Sequence, residues 1–426
     1  MASDRIVFVG GARTPFAKSR GVYQNMTPAA LGGIAIREAV ARSGVPQNLI
    51  DECYFGIVSA PAEGSNISRE ALFDAGLLPT IPCTTINRYC ASAAEAAAAI
   101  AAKIESGQIE IGIAGGVESI SSIRALFSQK ATHYFQDFGK AKTVGQQLGH
   151  LSKLKLDYLA PNAPGITEPT TGLSMGQSAD LMARLFGVSR KEQDDYAANS
   201  HHKAAKAQEQ GFFKDHVASV STPSGQWVDK DPDVRADTSS DKLSKLKPVF
   251  YKDGTITAGT ASPLTDGASA ILMMKESKAK ALGLKPLAAL RSYAVAAVDI
   301  QKEPLLIGPV YAIPKALKLA GLTFNDVDLI EIHEAFAAQV LSTLRAIESK
   351  QFAQEKLGLS QAIGTVDIHK LNPHGGSIPL GHPFGATGVR MILQSIYGMK
   401  KLNKQTALIS ICAAGGLGSV MILENI

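Results

Sequence analysis

Four residues in this chain pair a reactive side chain with a setting that can expose it. Cys90 stands in "INRYCASAAEAAAAIAAKIESG", between a β-like run and an alanine-rich stretch of high helix propensity, with no turn residue to separate the two. At a helix N-terminus the unpaired amides and the macrodipole favour a thiolate, which is a nucleophile. Cysteine is also among the residues most often buried, so Cys90 taken alone fits a core position better, and Cys53 and Cys83 read as core. His382 lies in "HGGSIPLGHPFGATGVRMI", where Gly381, Gly385 and Gly388 let backbone and ligand approach the imidazole before a helix starts near Ala386. Such a histidine is a base or a structural hydrogen-bonder. Cys412 ends an alternating apolar run in "SICAAGGLGS", and the small residues after it leave amides able to donate hydrogen bonds. His333 and Glu334, in "EIHEAFAAQ", fall where a strand gives way to a helix, the end at which α/β sheets hold ligands. Two thiols and two histidines at strand ends are far more specific together than singly.

The elements that must carry these residues are visible as an internal repeat. "AIREAVARSGVPQNLIDECYFG" (35–56) aligns without a gap on "AIPKALKLAGLTFNDVDLIEIH" (312–333), pairing Ala39 with Ala316, Gly44 with Gly321 and Asp51 with Asp328. Each copy reads as an amphipathic helix with a glycine C-cap, a short turn and a buried strand. "IEIGIAGGVES" (109–119) resembles "TALISICAAGGLGS" (406–419), each an apolar strand that runs into a glycine-rich turn. The reading is α/β: two related halves with largely parallel sheets covered by helices, flanking a helical and loop-rich insert.

Bulk properties exclude several classes. A chain of 426 residues, 45% apolar with 39 glycines, can bury a large core. A formal charge of +5 at this length gives no sign of nucleic-acid binding. Four cysteines are too few for a disulfide scaffold, and none of their spacings suits zinc. The first residues, "MASDRIVFVGGARTPF", enter a β-like run without a secretion signal, and no apolar stretch approaches the roughly 18 to 20 residues of a membrane span. The expectation is a cytoplasmic protein, or a matrix-type protein without its presequence.

"NRYCAS", "GGVES", "GTITAGTASPLTDGA", "HEAFA", "GHPFGATG" and "CAAGGLG" occur here in the order found in thiolases, and the chain resembles that family over nearly its whole length. "HEAFAAQ", "CAAGGLG", "LLIGPVYAIPKAL" and the long insert after "GGVES" are most similar to the long-chain 3-ketoacyl-CoA thiolases, β-subunits of fatty-acid oxidation complexes. The resemblance implies the thiolase fold, two βαβαβαββ halves in a five-layered α/β sandwich, with residues 1–121 and 248–286 as the N-terminal half, 122–247 as an inserted loop domain and 287–426 as the C-terminal half. It implies cleavage of medium- or long-chain 3-ketoacyl-CoA by coenzyme A, a substrate rather than a cofactor, with no metal. It makes Cys90 the acylated nucleophile, His382 the base and Cys412 the acid/base. One oxyanion site then falls to His333 with His382, the other to the amides of Cys90 and Ala414. Ser262 would contact the pantetheine arm and Met175 the acyl chain; a strand-end serine and a core methionine fit these positions as well. Many relatives carry asparagine at the position of His333 and glycine at that of Ala414. Acetyl-CoA condensation would use the same residues, and a non-catalytic acyl-CoA-binding scaffold is a further alternative.

From Ser121 to Tyr158 six cations face two anions, close to the whole chain's surplus, and Val144, Leu148, Leu151, Leu154 and Tyr158 recur with the period of one helical face. A basic amphipathic segment can rest on an anionic membrane or dock on a partner, and it can equally cover the protein's own core. The family resemblance implies contact with a hydratase/dehydrogenase α-subunit or a membrane surface through 122–158, and a homodimer or tetramer.

Overall fold

The computed structural model describes residues 4–62, 64–124, 126–160 and 167–426. The chain divides into a large unit, up to Ser122 and from Glu168 to Ile426, and a small one, Ile123–Thr167. In the large unit the strands β1 (Ile6–Arg13), β2 (Glu52–Gly56), β3 (Cys83–Ile86), β4 (Ile111–Glu118), β5 (Thr265–Lys275), β6 (Ala288–Ala297), β7 (Leu329–Ile332), β8 (Thr406–Ala413) and β9 (Leu417–Asn425) join in the order β7-β8-β9-β6-β1-β5-β4-β2-β3, with a short strand at Ala17–Lys18 beside β5.

The two repeat copies become α1 (Pro28–Ser43) and a helix over Gly308–Ala320. Both carry proline in the first turn, where its missing N–H costs nothing, and both stop at a left-handed glycine, Gly44 (φ 70°) and Gly321 (φ 66°). The first half runs β1, α1, β2, helix Ile67–Asp74, β3, α2 (Ser92–Glu105), β4 and β5. The second runs in the same way, but its third strand is reduced to a single bridge between Leu371 and Ile330.

Alternation of strands and helices suggests parallel sheets, yet only β2–β3, β2–β4 and β7–β8 pair in parallel. The cause is the closing ββ of each half, which brings β5 back against β1 and folds β9 onto β8 through a short turn that permits only antiparallel pairing. The glycine-rich turn expected after Ile113 is also absent. β4 passes through Gly115 and Gly116 to Glu118, because those glycines serve close approach: a Cβ on Gly116 would lie 1.9 Å from the Gly385 carbonyl oxygen.

α2 and α3 (Thr387–Leu402) form the middle layer. Ala93, Ala97 and Ile100 of the first meet Val389, Ile392 and Ile396 of the second, with Ile271, Ile409 and Met421 from the sheet on either side. Outer helices cover the far faces, Leu31, Ile36 and Leu72 on Phe55 and Ile113, and Ile313, Ala316 and Val340 on Ile330 and Leu408. Helix, sheet, helix, sheet, helix gives five layers, the sheet continuing from one half to the other through Ile6–Phe8 against Ala288–Leu290.

Helices Met175–Leu185 and Arg190–Glu209 belong to the large unit, each opened by a serine capping box, Ser174 with Gln177 and Ser189 with Glu192. In the small unit the helices are Gln129–Lys140 and Val144–Leu151. The apolar face expected to run on through Leu154 and Tyr158 is interrupted. The helix ends at Ser152, Lys153 and Leu154 turn back on His150 and Leu151, and a 3-10 turn over Leu156–Leu159 follows. Part of the loop expected there, 161–166, lies outside the described residues. Among the described residues no helix is long and apolar enough to cross a membrane.

Candidate active site

β3 leads into the site, and the chain between it and α2 is not the smooth run that the sequence suggests. Tyr89 takes φ 48°, a left-handed conformation that costs a tyrosine roughly 1 to 3 kcal/mol. Buried Ser92 holds it there: its hydroxyl accepts from the Arg88 amide (2.9 Å) and donates to the Tyr89 carbonyl (2.6 Å), while the Asn87 side chain takes the Tyr89 amide (2.9 Å). This tight elbow presents half-buried Cys90 two residues before α2 starts.

His333 follows the last residue of β7, and His382 sits between the short helix Ser377–Leu380 and α3. Gly381 (φ 97°) makes the turn possible and lies against Thr265, whose hydroxyl takes the His382 amide (3.0 Å). The Cys90 sulfur and one ring nitrogen from each of His333 and His382 lie within 4.8 Å of one another. The two Nε2 atoms are 3.2 Å apart. His382 Nδ1 is 2.7 Å from the Thr387 hydroxyl, and His333 Nδ1 is 2.8 Å from that of Ser377.

Cys412 is buried at the end of β8, close enough to feel the charge of Cys90. The turn after it carries Ala414, whose amide, like that of Cys90 itself, favours the charged form of the Cys90 sulfur. Not every amide of that turn is left free: the Gly415 N–H donates to the Glu168 carboxylate (2.9 Å). The segment holding Ser262 runs beside the His333 loop, with the Ser262 amide on the Ala335 carbonyl (3.0 Å) and Leu264 bridged to His382. Met175 is half-buried in the apolar cluster that contains Cys412 and Phe336.

The electrostatics correct one expectation. Burial, helped by the Glu118 carboxylate, pushes the Cys90 thiol up to about 12, outweighing the pull of the Ala414 and Cys90 amides. Burial, with Arg390 adding, holds His382 down at about 3. His333 lies well below its usual value for the same reason, His382 and Arg390 contributing. These shifts all favour a neutral thiol facing neutral imidazoles over the thiolate that a place at a helix start implies, because desolvation opposes the helix's contribution. Cys412 is likewise raised by burial and by Cys90.

Several supporting residues escaped the sequence reading, and Glu334, noted there beside His333, also turns out to be one of the supports. Glu118 is fully buried and takes the amides of Val58 (3.0 Å), Ser59 (2.9 Å) and Gly385 (3.0 Å), tying the loop after β2 to the His382 loop; burial raises it to about 7. Glu334 accepts from Tyr196, Ser200, Asn372 and the Ile378 amide, holding the chain beside His333. Glu118, Ser377, Thr387 and Arg390 all lie inside the conspicuous stretches, but nothing in their spacing separates them from ordinary polar residues.

The chain matches the family models for the thiolase N-terminal domain over residues 6–277 and the thiolase C-terminal domain over 284–425. It is 44% identical over 423 residues to a 3-ketoacyl-CoA thiolase of Yersinia enterocolitica, covering 99% of this chain and 97% of the relative, and 45% identical with the same coverage to one from Yersinia pestis. Among solved structures it superposes on an acetyl-CoA acetyltransferase of Bacillus anthracis (TM-score 0.83, 32% identity) and on the human mitochondrial 3-ketoacyl-CoA thiolase (TM-score 0.83, 29% identity), each with 99% of both chains covered.

Proposed function

The chain belongs to the thiolase family and is an acyltransferase of the 3-ketoacyl-CoA thiolase kind, and from that premise we propose that it cleaves medium- and long-chain 3-ketoacyl-CoA in fatty-acid β-oxidation through an acyl-Cys90 intermediate. The observation that carries this reading is the meeting of Cys90, His333 and His382 within 4.8 Å beside Cys412.

In the proposed reaction His382 Nε2 takes the Cys90 proton as the sulfur attacks the 3-keto carbon. The C2–C3 bond breaks, its electron pair passes to C2 and the acetyl-CoA thioester oxygen, and Cys412 protonates C2. Acetyl-CoA leaves and the shortened acyl group stays on Cys90. Cys412, now a thiolate, takes the proton of incoming CoA, whose sulfur attacks the acyl carbon, and Cys90 departs with the proton from His382. Each step needs an oxygen anion held. The amides of Cys90 and Ala414, which already favour negative charge on the sulfur, suit the tetrahedral oxygen; His333 with His382 suits the thioester enolate. Ser262 and Met175 are assigned to the pantetheine arm and the acyl chain. Coenzyme A is a substrate here, and no step calls for a metal.

A scaffold role would leave a half-buried and a buried thiol and two interlocked histidines without a purpose. The likeness to an acetyl-CoA acetyltransferase supports a second reading, condensation of two acetyl-CoA at the same residues. The protein is proposed to work as a homodimer or tetramer, in the cytoplasm or a mitochondrial matrix, with a hydratase/dehydrogenase α-subunit or a membrane surface against residues 122–158.

Brief exposure to 3-ketohexadecanoyl-CoA without free CoA, followed by intact mass spectrometry, tests the reading. A tetradecanoyl adduct on Cys90 that CoA then removes is expected, and Cys90→Ser should show none. Acylation by acetoacetyl-CoA alone would remove the long-chain assignment in favour of the second reading; no adduct from either would remove the mechanism.

A further inference from the structure

We propose that Ser377, anchored by Arg390, is a positioning residue that fixes the tautomer of His333 and so presents its Nε2–H to the developing oxyanion. The inference rests on the reading of Cys90, His333 and His382 as the reacting site.

A guanidinium only donates, so in the 2.6 Å contact from Arg390 Nη2 the Ser377 oxygen accepts. Ser377 is fully buried, and among the described residues the one acceptor in reach of its own proton is His333 Nδ1, at 2.8 Å. A buried hydroxyl left without an acceptor keeps its full desolvation penalty, so the proton goes to Nδ1. A neutral imidazole that accepts at Nδ1 carries its hydrogen on Nε2.

The other side of the pair gives the same answer independently. The Thr387 hydroxyl donates to the Pro383 carbonyl (2.9 Å) and therefore accepts from His382 Nδ1–H, leaving His382 Nε2 bare. A donor on His333 Nε2 facing a lone pair on His382 Nε2 fits their 3.2 Å separation, whereas the opposite His333 tautomer would set two lone pairs against each other. When His382 takes the Cys90 proton, its Nε2 becomes a donor as well. Two N–H groups then face one oxygen, so the site acquires its second donor at the moment negative charge appears. Arg390 is itself buried, with the Glu331 carboxylate 4.0 Å away to balance its charge.

The test uses the full-length enzyme labelled with 15N-histidine. In the wild type the His333 signals should show a protonated Nε2 and a bare Nδ1. Ser377→Ala should mix or reverse that pattern and lower kcat for thiolysis by about 10²-fold, the effect of losing one oxyanion donor, with KM within about twofold. His333→Asn has an amide donor and no tautomer to choose, so adding Ser377→Ala to it should cost less than about threefold. An unchanged His333 pattern in Ser377→Ala, or an equal loss in both backgrounds, would overturn the proposal. Thiolysis persisting in Cys90→Ser would instead remove the underlying reading of the site, whatever Ser377 does.

Discussion

Burial pushes the Cys90 thiol up to about 12 and holds the His382 imidazole near 3, which disfavours a resting ion pair, so in the proposed reaction proton transfer accompanies attack. The consequence is measurable without substrate. Alkylation of Cys90 by iodoacetamide should accelerate steadily from pH 6 to 9, because the thiolate fraction is still growing throughout that range. A rate already flat from pH 5 upward would mean a preformed thiolate–imidazolium pair and would contradict the balance of burial over amide donation described here. The same desolvation that keeps Cys90 protonated strengthens every donor aimed at it, so a weak resting nucleophile is compatible with strong stabilisation once charge develops. Arg390, Ser377, Thr387 and Glu118 are in this sense as much part of the site as the groups that touch the reacting atoms.

Among the elements, the central helices set the tolerances. α2 is rich in alanine because α3 crosses it closely: Gly388 lies in the first turn of α3, and a Cβ there would sit 2.4 Å from the Ala94 amide nitrogen. Backbone cannot yield as a flexible side chain can. Gly388→Ala should therefore push the helices apart and destabilise the fold by about 1 to 3 kcal/mol, with loss of activity because Cys90 and His382 ride on the starts of these two helices. A urea midpoint equal to that of the wild type would show that the helices can slide without penalty. Elbow strain belongs to this scale too, since Tyr89 keeps its left-handed backbone only while Ser92 and Asn87 brace it.

For the molecule as a whole, buried neutral histidines make acid the weak side. Burial lowers His201 and His374 to about 4 and His382 to about 3, and holds His216 and His333 well below the ordinary value. Each binds a proton in the unfolded chain first, so it contributes stability present above about pH 6.5 that is lost as pH falls through the folded value, at up to about 1.4 kcal/mol per pH unit. Glu118 and Glu331, raised by burial to about 7 and about 8, act in the opposite direction but are fewer. The urea midpoint should thus drop steeply between pH 6.5 and 4.5, and a flat profile would refute the account. The small unit carries the proposed association surface instead. Val144, Leu148, Leu151 and Leu156 are 71%, 61%, 50% and 83% exposed amid net positive charge. Replacing 123–167 by a short linker should abolish α-subunit pull-down or liposome sedimentation while sparing thiolysis of acetoacetyl-CoA; association unchanged in both assays would remove that role from the insert.

The repeat, the glycine-capped helices and the cysteines and histidines proposed to carry the chemistry are legible in the chain alone. These depend on local physics: a glycine needed for positive φ, a propensity summed over a helix, a small residue before a turn. It also carried the family resemblance, and through it the five layers. Tertiary structure alone decided the rest. Antiparallel pairing prevails in the sheet because closing strands return across the chain, and Gly115 and Gly116 lie within β4 because the Phe55 ring presses on the first and the Gly385 carbonyl on the second. The protonation of Cys90, the tautomer of His333 and the amides held by Glu118 and Glu168 depend on partners tens to hundreds of residues away. Hydrogen bonding and desolvation act over a few ångströms of space, and sequence spacing does not record that distance.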